Sequence, residues 1–224
     1  MSNQEIPNYQ EENSLLRVGY RRIAGCDEAG RGAWCGPVVA AAVILPNDIS
    51  SDWITDIRDS KMLTAEKREI LYGKIMTEAV SWSVGIIDHE EIDHVGILNA
   101  TKRAMMEAIS SLPILADFLL IDFVRLPVME MPQKSITHGD MRCLSIACAS
   151  IVAKVTRDHI MEDLDKQYPG YFLARHKGYG TRQHLAKIVS YGVLPIHRRS
   201  FAPIKKRLKY LSYNSFSPSE DTKK

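Results

Sequence analysis

Cysteine is scarce in this chain and forms none of the usual patterns. Cys26, Cys35, Cys143 and Cys148 make no CxxC pair and stand by no histidine at zinc-finger spacing. Structural zinc is therefore disfavoured, and buried free thiols in a reducing compartment are expected. Long apolar runs are missing too. The longest covers residues 38–45, far short of the about 18 residues that a membrane span needs. The first residues, MSNQEIPNYQEEN, are polar and acidic and contain no apolar signal core, so a cytoplasmic protein is expected. The most informative absence is of one charge: residues 166–219 contain no Asp or Glu.

That last gap reorganises the charge balance. The whole chain of 224 residues has 29 basic and 27 acidic side chains. Residues 166–219 hold eleven of the basic ones, so the remainder carries 18 basic against 27 acidic, a net of −9. An acidic body joined to a basic C-terminal quarter suits a protein that holds cations with one part and a polyanion with the other. A solvated basic surface would look the same. With 45% hydrophobic and 25% charged residues, disorder of the whole chain is excluded. The length fits one large domain, or one domain with a small appendage.

Residues 1–20, with Pro7 and few apolar side chains, read as a flexible leader. Strand-like segments lie at 22–26, 36–45, 81–87, 118–121 and 134–137, several of them ending at acids or turn residues. Helical patterns lie at 64–79 with Thr64 as cap, at 97–112 before Pro113, at 143–167 before Tyr168-Pro169-Gly170, and at 181–191 with Thr181 as cap and Gly192 beyond its end. Asp88 can cap a short turn near 90–93. The alternation predicts an α/β domain with a central sheet over 21–165, a basic helical region over 166–210 packed on it, and a frayed tail over 211–224.

A few of the acids occupy unusual positions. Asp27 and Glu28 end a strand, Asp122 ends the most apolar strand of the chain, and Asp140 leads into the longest helix. Carboxylates that meet are costly to keep ionised unless a cation lies among them. Oxygen donors alone select a hard ion, Mg²⁺ or Mn²⁺. Two such ions can activate water and stabilise the leaving oxygen of a phosphodiester. Taken singly, each acid is equally well a turn or cap residue, and spacing alone does not bring them together. Gly30-Arg31-Gly32 would let backbone N–H groups approach a sugar or phosphate, or it could be a plain tight turn. The other histidines read as surface or helix-face residues, and His138 as exposed.

Taken together, these residues resemble a known family. Gly25-Cys26-Asp27-Glu28-Ala29-Gly30-Arg31-Gly32 is similar to the opening motif of ribonuclease HII, the prokaryotic type 2 ribonuclease H. Asp59-Ser60-Lys61, the strand Phe118-Leu119-Leu120-Ile121-Asp122, Gly139-Asp140 with the stretch SIACASIVAKVTRD at 145–158, His176-Lys177-Gly178-Tyr179-Gly180-Thr181 and His197-Arg198-Arg199-Ser200-Phe201 follow in the family's order. Departures are Phe123, where Gly is usual, His138, where Lys is common, and Cys148 for a usual Ala.

The resemblance implies a ribonuclease H-like fold, a mixed sheet flanked by helices with a helical basic C-terminal region. It implies hydrolysis of the RNA strand of RNA–DNA hybrids and incision 5′ of single ribonucleotides in duplex DNA, leaving 3′-hydroxyl and 5′-phosphate ends and serving to remove misincorporated ribonucleotides. By position, Asp27, Glu28, Asp122 and Asp140 would bind the catalytic Mn²⁺ or Mg²⁺. Gly30, Arg31 and Gly32 would contact the ribose 2′-hydroxyl, Tyr179 the neighbouring sugar, and Lys61 a phosphate. The expected partners are hybrid and ribonucleotide-containing DNA, with the protein a monomer. Ribonuclease HIII is the nearest rival; it carries an extra N-terminal domain and typically Gly-Lys-Gly where Gly30-Arg31-Gly32 stands. A non-catalytic nucleic-acid binder would not need the acids, and a nucleotide-binding P-loop would need a GxxxxGK[ST] that is absent.

Overall fold

The apolar run at 38–45 is buried at every position, which a strand achieves only when both faces of its sheet are covered. The computed structural model describes residues 6–58 and 60–215, with side chains to residue 210, and has that arrangement. Its elements in order are α1 (Gln10–Arg17), β1 (Ile23–Ala29), β2 (Val38–Ile44), α2 (Ala65–Glu78), β3 (Ser81–Ile87), α3 (His89–Val95), α4 (Ile97–Ser110), β4 (Phe118–Asp122), β5 (Gln133–Ile136), α5 (Leu144–Gln167), α6 (Leu173–His176), α7 (Arg182–Tyr191) and α8 (Ala202–Ser215). The sheet runs β3-β2-β1-β4-β5. It is mixed: β1–β2 and β2–β3 are antiparallel, β1–β4 and β4–β5 parallel.

The side-chain period of two sorts the strands onto two cores. Val38, Ala40, Ala42 and Ile44 face α4, where Ala100, Ala104, Met105 and Ala108 meet them. Ala41, Val43 and Leu45 face α2 and α5, through Leu71, Ile75, Ala149 and Val152. α5 lies very close to the sheet. A Cβ on Gly25 of β1 would stand 2.1 Å from the carbonyl carbon of Ser145, so only glycine lets strand and helix approach so closely. Thr64, Asp88 and Thr181 cap α2, α3 and α7 through side-chain oxygens, as local sequence expects.

The N-terminal segment differs from the loose leader that composition suggests. Asn8 pairs with the backbone around Cys143: its N–H donates to Arg142 and its carbonyl accepts from Leu144. α1 then places Glu12, 1% exposed, against the start of α5. Glu12 Oε1 accepts from the Ser145 N–H at 2.8 Å and its hydroxyl at 2.7 Å. Cys143, the residue before α5, provides no side-chain cap, so Glu12 does the capping from 133 positions away. Glu12→Ala is expected to cost about 1–3 kcal/mol, a fall in Tm of roughly 2–12 °C. An unchanged melting curve would show that the contact contributes nothing. At the other end, α8 continues to Ser215, past the expected boundary at 210. Residues 216–224 of the expected tail lie outside the described residues, as does Asp59 of the Asp59-Ser60-Lys61 motif.

Candidate active site

Strand register brings the first and third acids together. β1 and β4 run parallel with Cys26 opposite Ile121, so Asp27 and Asp122, the next residues of each strand, emerge at the same edge. Asp27 and Glu28 lie inside β1 rather than just past its end. Their side chains alternate in direction. Asp27 accepts a hydrogen bond from the hydroxyl of Ser150 on α5, and Glu28 pairs with Arg31 at 3.1 Å. Asp140 arrives on the 3-10 turn Gly139–Met141 that feeds α5. The same turn braces Asp122, whose Oδ1 accepts from the Gly139 N–H at 2.7 Å.

The carboxyl groups strain against one another electrostatically. Burial, then the charges of Glu28 and Asp122, pushes Asp27 well above the usual carboxylate range. Burial raises Glu28 as well, against the pull of Arg31. Burial and Asp140 raise Asp122, against the Gly139 N–H. Glu28 Oε2 is buried with no hydrogen-bond partner. A raised acid favours the folded state at low pH, and that stabilisation is lost as pH rises through the folded value. The set is acceptor-only and short of positive charge; these oxygens fit a hard divalent cation.

Opposite the acids lies the 30–32 loop. Gly30 has φ of +94°, and a Cβ there would sit 2.0 Å from Arg157 Nε, so its side toward α5 is filled by a guanidinium. Arg157 is fully buried and donates to the carbonyls of Pro37, Lys177 and Cys35. Arg198, equally buried, donates to Gly36, Arg31 and Pro37. Tyr179 faces the loop: its ring lies over Arg157 at 5.4 Å, and a Cβ on Gly32 would be 3.9 Å from Tyr179 Cε1. Lys61 Nζ stands 3.6 Å from Asp140 Oδ2. Arg68 holds the turn beneath it by donating to the carbonyls of Ser60 and Leu63.

A single cleft of about 200 Å³ is lined by Asp27, Glu28, Gly30, Arg31, Gly32, Lys61, Asp122, Asp140 and Tyr179. The family model for ribonuclease HII matches residues 24–204, the span that holds all of them. The chain belongs to the ribonuclease HII family. A ribonuclease HII of Dehalococcoides mccartyi is 53% identical over 199 residues, covering 89% of this chain and 94% of that one. The crystal structure of the ribonuclease H2 from Pyrococcus horikoshii OT3 superposes with a TM-score of 0.72 at 26% identity, over 85% of this chain and 99% of that one. A ribonuclease HIII of Bst origin, crystallised with Mn²⁺, shares the fold at a TM-score of 0.62 and 19% identity, over 95% of this chain and 77% of that one. As a ribonuclease HII, the chain is an endonuclease that acts on RNA–DNA hybrids.

Some features of this ribonuclease HII are not visible in its sequence. Ser60, Ser150 and Lys154 also line the cleft, with Ser60 and Ser150 hydroxyls 3.0 Å apart. Ser150, Lys154 and Asp158 stand four residues apart on one face of α5, with Lys154 paired to Asp158 at 2.6 Å. Two readings need correction. His176, His184 and His197 are buried rather than on the surface, because each packs between α6, α7 and the strand-like residues near Cys35. Nor is the basic stretch wholly available to a polyanion: Arg198 is a core residue, and Lys177 pairs with Glu162 at 2.6 Å. His138 is exposed, as expected, with φ of 55°. Phe123 takes φ of 54°, the conformation that glycine adopts without strain. The turn after Asp122 is thus kept, at a steric cost of about 1–2 kcal/mol.

Proposed function

We propose that this ribonuclease HII incises DNA on the 5′ side of an embedded ribonucleotide, as well as cutting hybrids, and that Asp27, Glu28, Asp122 and Asp140 hold the divalent ions it uses. The observation that carries the reading is the convergence, in one cleft, of acids from two strands and a turn with a glycine loop and an aromatic ring. Mn²⁺ or Mg²⁺ bound there would supply an activated water and stabilise the departing 3′-oxygen. The ribonuclease HIII that shares this fold crystallised in complex with Mn²⁺, and the donor chemistry here suits either ion.

The remaining residues select the substrate. The backbone of Gly30, Arg31 and Gly32 faces the ribose, whose 2′-hydroxyl is what separates RNA from DNA. Arg157 and Arg198 hold this loop from behind, so its N–H groups are already oriented when the sugar arrives. Tyr179, on the far side of the cleft, packs on the adjacent sugar and reads the junction between ribo- and deoxyribonucleotide. Lys61, exposed beside Asp140, meets a phosphate. Arg31 holds Glu28 so that its carboxylate stays within the cleft. Exposed Lys and Arg on α7 and α8 add phosphate contacts, which weaken as salt rises.

The test is a DNA duplex with one ribonucleotide, incubated with protein and Mn²⁺ or Mg²⁺. A single nick 5′ of the ribonucleotide, with 3′-hydroxyl and 5′-phosphate ends, is expected. Intact duplex in the presence of folded protein that cuts a uniform hybrid would sink the single-ribonucleotide reading. Tyr179→Ala should lower kcat/KM on this substrate about tenfold or more, since an aromatic face on nucleic acid is worth about 1–3 kcal/mol. Unaltered junction cleavage would remove Tyr179 from recognition.

A further inference from the structure

Behind the Tyr179 loop lie three imidazoles that the acids and the glycine loop do not account for. His184 and His197 are fully buried and His176 nearly so. The rings of His176 and His184 stack, with centroids 4.3 Å apart and planes inclined by 16°. Their hydrogen bonds can be followed from a group that can only accept. The Tyr179 carbonyl lies 3.0 Å from His184 Nδ1, so that nitrogen carries the hydrogen. His184 Nε2 is then a lone pair, and His197 Nε2, 3.0 Å away, donates to it. His197 Nδ1 is left as an acceptor, and the Leu194 N–H donates to it at 2.8 Å. In the same way His176 Nε2 donates to the Tyr171 carbonyl at 2.9 Å, and its Nδ1 accepts from the Gly178 N–H at 3.2 Å. Each ring nitrogen thus has a partner of the right kind, and all three rings are neutral.

Cys35 Sγ lies 4.0 Å from His184 Nε2, and the donor atoms of Cys35, His184 and His197 all fall within 4.8 Å of one another. A metal there would need the His197 Nε2 lone pair. The hydrogen would move to Nδ1, giving up the Leu194 N–H that donates there at 2.8 Å for the Leu194 carbonyl at 3.3 Å. A dication would also sit beside two buried guanidiniums: Arg157 donates to the Cys35 carbonyl and Arg198 to those of Gly36 and Pro37. The hydrogen-bond pattern and the charge both favour a relay without metal.

The relay connects the two sides of the cleft. One end fixes the Tyr179 carbonyl. At the other, Arg198 follows His197 directly and donates to the Arg31 carbonyl, while its N–H donates to Trp34. Trp34 returns to the Tyr179 loop: its N–H donates to Gly178, and a Cβ on Gly180 would be 2.1 Å from its ring. We infer that His184 and His197 are positioning residues for ribonucleotide recognition, which set Tyr179 at a fixed distance from the Gly30–Gly32 loop through neutral rings of defined tautomer. This rests on the role proposed above for Tyr179.

Two measurements test it. In the full chain labelled with ¹⁵N-histidine, long-range ¹H–¹⁵N spectra at pH 7 are expected to show His184 protonated at Nδ1 only and His197 at Nε2 only. The reverse tautomer at either ring, or added Zn²⁺ that survives dialysis and shifts the His184 and His197 ring nitrogens as a bound metal does, overturns the relay; zinc that leaves those signals unmoved lies elsewhere and leaves the relay standing. The second measurement is the ratio of kcat/KM on a single-ribonucleotide duplex to that on a uniform hybrid. His184→Gln removes the donor at Nδ1 and should lower the ratio about tenfold, whereas His184→Asn, which keeps an N–H near that position, should hold it within about twofold. Equal losses on both substrates, or no rescue by Asn, would refute a positioning role. Wild-type protein unable to nick the single ribonucleotide would instead sink the reading of Tyr179, and the spectra would still decide the relay.

Discussion

Asp122→Asn is expected to slow cleavage by about a thousandfold or more, while hybrid binding stays within about threefold. A thousandfold is about 4 kcal/mol of transition-state stabilisation, within what a lost charge on a bound cation accounts for. The substitution is unusually clean here. An asparagine Oδ1 can still accept from the Gly139 N–H, so the turn that carries Asp140 has no reason to move. What disappears is one negative charge among four. The Asp122 charge is one of those that push Asp27 upward, so the variant should melt at a higher temperature than wild type when both are metal-free. It should also gain less from added Mn²⁺, because a ligand that binds only the native state stabilises it more the tighter it binds, with the logarithm of its affinity. Melting curves with and without Mn²⁺, turnover and fluorescence anisotropy on a labelled hybrid give the three readings. Near-normal turnover would remove Asp122 from the chemistry.

Arg157→Leu should be strongly destabilising, costing about 3–5 kcal/mol. Two carbonyl oxygens, those of Lys177 and Cys35, lose the guanidinium at once, and Pro37 keeps only Arg198. Each stranded acceptor costs about 1–3 kcal/mol, and leucine cannot reach any of them. Loss of the cation beneath Tyr179 adds about 0.5–2 kcal/mol. For a chain of this size the fall in Tm is roughly 6–20 °C. Arg157→Lys should recover little of it, since one ammonium cannot address three diverging carbonyls as a planar guanidinium does. A shift in Tm below about 3 °C for Arg157→Leu would mean that water replaces the side chain and that the site is wetter than its burial implies.

Much of the fold was legible because its signals are local. Thr64, Asp88 and Thr181 each cap the helix that follows, and the apolar repeat from 97 to 112 stops before Pro113 as α4 does within two residues. The acids were legible as strand ends, but their meeting was not: it depends on Cys26 lying opposite Ile121 in a parallel pair whose members are 95 positions apart. α1 escaped for the same reason. Its anchor, Glu12, finds its partner at Ser145, and no short-range pattern announces such a contact. Arg157, Arg198 and the three histidines escaped for a different one. Arginine and histidine are mostly exposed, so composition places them on the surface. The carbonyls of Cys35, Gly36 and Pro37, which need donors, draw the arginines inside, and those of Tyr171 and Tyr179 draw in His176 and His184.

The order of these parts along the chain has a consequence for synthesis. All four acids are in the chain once residue 140 has been added, and strands β1 to β5 with them. The side chains that hold the 30–32 loop from behind and face it across the cleft come later: Arg157, then Tyr179, His184, His197 and Arg198 last. A chain released near residue 150 would therefore have all four carboxylates but none of the side chains that brace the glycine loop. In order of synthesis, the carboxylates proposed to bind cations are thus complete before the residues proposed to tell ribose from deoxyribose, and α5, which covers the sheet, is finished in between.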